Sequence, residues 1–199
     1  MTINLKKGQR ISLAKEAPGL TRLMCGLGWD VAQRSGGLLS FLSNSSDFDL
    51  DASVLCLNAT DKLKNNGDVI YFSNLRHRSN AITHLGDNLT GEGEGDDEQI
   101  VVDLPQIPPG ISKLVFVVNI YNCTSRKQDF GQVNNAFVRL VDLANNREIA
   151  RYNLSGQEYS GKTGMIMAEI YRHNGDWKMA ALGNGIQVNG LEELVRSYS

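Results

Sequence analysis

The chain has 199 residues, 41% of them hydrophobic, with 20 Lys or Arg against 22 Asp or Glu. That length and apolar content suffice for one packed core, so residues 1–199 are expected to form a single domain. A net charge of -2 offers no basic excess for nucleic acid or an anionic membrane, and no run of 18 apolar residues is present to insert into a bilayer.

The first seven residues, Met-Thr-Ile-Asn-Leu-Lys-Lys, lack the features of a secretory leader, which predicts a cytoplasmic protein. Cys25, Cys56 and Cys123 are odd in number and sit in apolar runs, so they are expected to be buried reduced thiols. Residues 35–46 are rich in Gly and Ser and read as a loop. Strands are predicted at 53–57, 69–73, 100–104, 114–121, 136–143, 148–154, 165–172 and 177–182, where short Val, Ile, Tyr and Phe runs tend to alternate with polar residues. Turn signals fall between them at Asn66-Gly67, Pro108-Pro109-Gly110, Asn145-Asn146 and Asn174-Gly175. Strands at this spacing form a sandwich or a barrel. Residues 191–198 alone look helical, with Leu191, Leu194 and Val195 on one face. Trp29 and Trp177 read as core residues.

Charge is strongly segregated. Between Arg78 and Lys113 there is no Lys or Arg, while Asp87, Glu92, Glu94, Asp96, Asp97, Glu98 and Asp103 give the stretch a charge of -7. Such crowding is unfavourable unless the segment is unfolded or holds a cation. The glycines among residues 86–98 permit turns that aim carboxylates and carbonyls at one point, and calcium takes six to eight such oxygens. Strand-like sequence on both sides ties the ends of this segment down. Asp47, Asp49 and Asp51 lie two apart, which on a strand places three carboxylates on one face. They are expected to supply a second half-site for the same cluster. Neither stretch fits an EF-hand loop, because Ala52 and Asn58, or Leu89 and Glu92, stand where that loop needs other residues.

Residues 156–163, Gly-Gln-Glu-Tyr-Ser-Gly-Lys-Thr, match the phosphate-binding expression G-x-x-x-x-G-K-[ST] letter for letter. That motif works only at the head of a helix in a parallel α/β sheet, and no such alternation is visible, so a hairpin turn is the favoured reading. Nucleotide binding through Gly156, Lys162 and Thr163 is the alternative. His77, His84 and His173 are isolated in sequence, and His84 reads as polar surface, with support of the acidic ligands three residues on as the alternative. No catalytic set can be assembled from them, so no enzyme activity is expected.

With Gly28-Trp29-Asp30, residues 47–53 (Asp-Phe-Asp-Leu-Asp-Ala-Ser), residues 84–91 (His-Leu-Gly-Asp-Asn-Leu-Thr-Gly) and Gly95-Asp96-Asp97-Glu98 in this order, the chain resembles the TerD family of tellurite-resistance and stress proteins. Tyr171, Trp177-Lys178 and Gly183 fit the same pattern, over nearly the full length. The resemblance implies an all-β fold, a two-sheet antiparallel β-sandwich with a short C-terminal helix. It also implies a non-enzymatic cytoplasmic protein that binds two calcium ions and works with membrane-associated proteins of a tellurite-resistance gene cluster. Carried over by position, the ligand candidates are Asp49, Asp51, Asp87, Asn88, Asp96, Asp97 and Glu98, with the Gly91, Glu92 and Gly93 stretch supplying carbonyls and Asp30 nearby. The segment 34–46 is longer than the family pattern suggests, and the P-loop-like string is not part of it.

Overall fold

The computed structural model describes residues 2–31, 49–86, 95–154 and 157–199. Among these, twelve strands form two six-stranded sheets. The first sheet runs β1 (Ile3–Asn4), β10 (Arg147–Leu154), β9 (Val133–Asp142), β3 (Arg22–Val31), β7 (Glu98–Asp103), β6 (Ile82–His84). The second runs β2 (Arg10–Ser12), β12 (Asp176–Ile186), β11 (Gly164–His173), β8 (Lys113–Ile120), β4 (Leu50–Leu57), β5 (Val69–Ile70). Pairing is antiparallel except for β1, which lies parallel to β10.

Period-two alternation decides which side chains enter the core. On β4, Leu50, Ala52, Val54 and Cys56 point into the space between the sheets, where they join Leu114, Phe116, Val118 and Ile120 of β8 and Leu23, Cys25, Leu27 and Trp29 of β3. The opposite faces of β4 and β8 carry Leu55, Leu57, Val115 and Val117, and helix α3 (Leu191–Arg196) covers these with Leu191, Leu194 and Val195. The helical stripe read from the sequence is therefore a lid on the outside of the second sheet. Two one-turn helices, α1 (Leu13–Glu16) and α2 (Cys123–Arg126), had no legible periodicity, because four residues cannot display one. All three cysteines are buried and free.

Asn174-Gly175 makes the tight β11–β12 hairpin with both φ angles positive. The run expected as a strand at 69–73 pairs only at Val69–Ile70, because Tyr71 and Asn74 close a turn on themselves. The largest strand outside the predicted runs is β3, which carries Gly26 and Gly28. These glycines admit neighbours: a Cβ on Gly26 would coincide with the Asp96 carboxylate, and one on Gly28 with the Phe137 ring and the Gly95 carbonyl. The far end of the acidic segment thus lies directly on the backbone of β3. Among the described residues, no helix is long and apolar enough to cross a membrane.

Candidate functional site

Three of the expected ligands, Asp96, Asp97 and Glu98, lead into β7, and each is held by a different partner. Asp96 lies fully enclosed on the outer face of the first sheet. Arg139 of β9 grips it with two bonds, Nε to Oδ1 at 2.7 Å and Nη2 to Oδ2 at 2.9 Å, the geometry of a bidentate ion pair. Gln99 adds a weaker bond of 3.3 Å to Oδ2. The Asp96 bonds raise the Arg139 guanidinium above its ordinary range, with Glu148 at 3.2 Å assisting. Arg151 in turn stacks 3.7 Å from the Phe137 ring.

Asp97 fixes an irregularity in β3. The β3–β9 register slips between Gly28 and Asp30, and there the Trp29 N–H donates to Asp97 Oδ2 at 2.8 Å while the Asp97 N–H donates to the Leu27 carbonyl. Asp30 sits just beyond the slip on the same strand, opposite Asn134.

Glu98 turns inward and bridges the sheets. The Ala52 N–H of β4 donates to Glu98 Oε2 at 2.6 Å. At Ala52 the strand has already outrun β5, which pairs only at Val54 and Leu55, so the carboxylate replaces a missing neighbour. His84 completes the substitution. Its Nδ1 accepts the Gly86 N–H at 3.2 Å, which leaves Nε2 as the protonated nitrogen, 3.3 Å from the Ala52 carbonyl and 3.4 Å from Glu98 Oε2. The sequence placed His84 on the polar surface. It is buried, because the groups that satisfy it come from a strand some thirty residues away, invisible to local pattern.

Asp49 and Asp51 occupy the other sheet. Asp51 shares its face of β4 with Leu55 and Leu57, away from the core, and its Oδ2 accepts from Asn119 Nδ2 at 3.3 Å across β8. Asp49 lies two residues earlier, 3.9 Å from Arg126. Of the described carboxylates, Asp51 points away from the core on the second sheet, Asp96 lies on the outer face of the first, and Glu98 lies between the sheets. Among the described residues, no three Asp, Glu, His or Cys side chains gather closely enough to hold a metal ion by themselves. Asp47, Asp87, Asn88, Gly91, Glu92 and Gly93 lie outside the described residues, as does the loop read at 35–46.

Whether a hard cation suits this end of the sandwich can be judged from its oxygens. Asn119 and Ser53 are both buried, and Asn119 Oδ1 and Ser53 Oγ have no hydrogen-bond partner. Oxygens enclosed without a donor are the kind of group that calcium coordination satisfies, so the residues present fit such an ion. The sequence did carry a signal for Asn119, one amide in the otherwise apolar run Val117-Val118-Asn119-Ile120, but strand reading alone gave it no role.

The phosphate-loop alternative fails on geometry. Gly156 lies outside the described residues, but Gly164–His173 is a strand and no helix follows Thr163. Thr163 exchanges bonds with Val188, donating to its carbonyl and accepting its N–H, and the Lys162 carbonyl accepts from Phe130. The segment is a turn feeding β11. His77 likewise is not isolated: its Nδ1 accepts the Ser79 N–H at 3.2 Å and faces Ser79 Oγ at 2.7 Å, so its protonated Nε2 faces Asp68 at 3.3 Å. Ser79 Oγ already accepts the Ala81 N–H. This line of side chains locks a turn.

Residues 1–198 match the TerD domain. Stress response protein SCP2 of Bacillus subtilis is 50% identical over 200 residues, covering all of both chains. Tellurium resistance protein TerD of Serratia marcescens is 41% identical over 198 residues, covering all of this chain and 97% of the other. A solved structure of a TerD homologue from Streptomyces coelicolor superposes with a TM-score of 0.64 at 22% identity, covering 85% of this chain and 92% of that one, a likeness of fold.

Proposed function

The chain belongs to the TerD family of tellurium-resistance and stress-response proteins, and from that premise we propose that it is a calcium-binding, non-enzymatic scaffold acting in the cytoplasm. The observation that carries this reading is the charge of -7 between Arg78 and Lys113, set in a fold that anchors both flanks of the acidic segment. On one side the Leu85 N–H bonds Gln99 and the Gly86 N–H bonds His84. On the other, Asp96, Asp97 and Glu98 are fixed to β9, β3 and β4. Like charges held between two such anchors repel one another, and a divalent ion relieves the repulsion.

Two ions are proposed because the candidate ligands come from two sheets, Asp49 and Asp51 at the start of β4 and the acidic segment that leads into β7. The ligand set proposed for the first is Asp87, Asn88, Glu92 and the Gly91 and Gly93 carbonyls, with Asp97 and Glu98 bracing the loop while they hold Trp29 and Ala52. Asp96 acts through Arg139. The second ion falls to Asp49 and Asp51. Calcium then orders a surface for partner proteins of the resistance system, including membrane-associated ones. Calorimetric titration with calcium tests the reading. Saturable binding that Asp87→Asn with Glu92→Gln weakens at least about tenfold supports it. Absence of any calcium heat in the wild-type chain would end it.

A further inference from the structure

We infer that the second sheet carries an anion site on its outer face, a concave patch of β2, β12 and β11 beside helix α3 that binds a small phosphate ester. Helix α3 packs over Leu55, Leu57, Val115 and Val117 of β4 and β8. Beyond Lys113 of β8 the same face opens into a cavity of about 490 Å³, within the range of roughly 300–1,000 Å³ typical of small-molecule sites. Register fixes which side chains line it. Ile11, Met179, Ile170 and Leu114 enter the core, so their neighbours Arg10, Ser12, Lys178, Glu169, Tyr171 and Lys113 face outward. Ser12 pairs with Lys178, Lys178 with Tyr171 and Tyr171 with Lys113, a continuous row across the sheet, while Arg10 and Glu169 flank Ala180 in the next row. The first row crosses β8 about 20 Å along the strand from Asn119, which stands opposite Asp51. It is therefore separate from the second ion's position, and the acidic segment leads into β7 of the other sheet.

The chain has a net charge of -2, yet this cavity is lined by the cations Arg10, Lys113 and Lys178 and by His173, against the single carboxylate of Glu169. Lys113 is already engaged, 2.8 Å from Asp61 and 3.3 Å from Glu169. Among the described residues, neither Arg10 nor Lys178 has an ion-pair partner. The two hold diagonal positions on paired strands, about 7–8 Å apart, so their long side chains can close on one anion, and only an anion draws them together. A tetrahedral phosphate suits them better than a planar carboxylate. It offers oxygens at once to the Arg10 fork, the Lys178 ammonium and the hydroxyl of Ser12 opposite Lys178. Glu169 restricts the rest of the ligand: its side chain, 15% exposed, repels a second negative group and accepts from a hydroxyl. Asp176, on the same face of β12 but outside the cavity, adds to this selection against polyanions. The half-buried Tyr171 supplies an apolar wall. The ligand these groups describe is one phosphate on a short, neutral, hydroxyl-bearing body. An acidic protein segment fits less well, because its repeated carboxylates meet Glu169.

The experiment is calorimetric titration of the full chain with glycerol phosphate and with glucose phosphate, in EGTA at fixed ionic strength, beside glycerol, inorganic phosphate and hexaglutamate. Saturable binding of at least one ester, with inorganic phosphate weaker and glycerol silent, is the expected result. Arg10→Gln with Lys178→Gln should weaken ester binding at least about tenfold, a loss of two charge-assisted contacts. The melting temperature in EGTA should stay where it is, since neither head group enters the core. The inference is overturned if no ester binds with a dissociation constant below about 1 mM, or if the double variant binds the ester as the wild type does. Inorganic phosphate held as tightly as either ester overturns the assignment to an ester. Saturable binding of hexaglutamate in place of the esters overturns it in favour of an acidic protein partner. Should the double variant lose its melting transition, Lys178→Gln alone decides by the same criteria. With EGTA present throughout, none of these outcomes bears on the calcium reading.

Discussion

Asp96 and Arg139 form the ion pair on which the acidic segment is hung, and the pair is asymmetric: the carboxylate is enclosed while the guanidinium is 28% exposed. Removing the guanidinium leaves a buried charge without its counter-ion, which costs more than the pair contributes. Arg139→Met is expected to destabilise the fold by about 2–3 kcal/mol, less than for a fully enclosed pair because water reaches the arginine. Asp96→Asn combined with Arg139→Met should recover part of the loss. Urea unfolding of the two variants checks both expectations. At this scale the sequence marks the acidic residues plainly, since composition and spacing are local properties. It does not mark their partners. Arg139, Ala52, His84 and Asn119 meet the acidic residues only through strand pairing and sheet packing, and nothing adjacent in the chain announces those contacts.

Helix α3 is stabilised by what it covers. Leu194 is 1% exposed against Leu55, Leu57, Val115 and Val117, so Leu194→Ala should cost about 2–4 kcal/mol through lost burial and the cavity left behind. A fall in the denaturant midpoint without a change in slope is the expected signature, while an unchanged midpoint would mean that the helix is not docked in solution. The helix was legible because its apolar stripe is local, as were β8 through β12, where branched and aromatic residues dominate or alternate with polar ones. Strand β3 was not. Asp96, Phe137 and Gly95 occupy the space that side chains at Gly26 and Gly28 would need. Glycine in a strand signals close approach as readily as a stop, and which of the two applies is decided by residues far away in the chain.

At the scale of the whole molecule, buried thiols tie stability to alkaline pH. Burial, aided by the negative Asp68 carboxylate, pushes the Cys56 thiol above its ordinary value of 9.0. The fold favours the neutral thiol, so its contribution is complete below about pH 9 and is lost as rising pH ionises the unfolded chain first. The wild-type melting temperature should fall from pH 9 upward, and Cys56→Ala should flatten that slope. An identical slope in both proteins would show that other groups carry the alkaline loss. The sandwich as a whole was legible from strand spacing and turn chemistry. The division of its acidic residues between two faces was not, because alternation fixes a side chain's face within a strand and is silent on which sheet the strand joins.

The central claim is that calcium binds the folded chain, and its most direct test is the melting temperature of the wild-type protein in excess calcium against EGTA at equal ionic strength. Binding to the native state alone stabilises it by about 2.7 kcal/mol per site when free calcium is a hundredfold above the dissociation constant. A clear upward shift with calcium, reduced in Asp87→Asn with Glu92→Gln, is the predicted result. Superimposable curves in calcium and EGTA would contradict it.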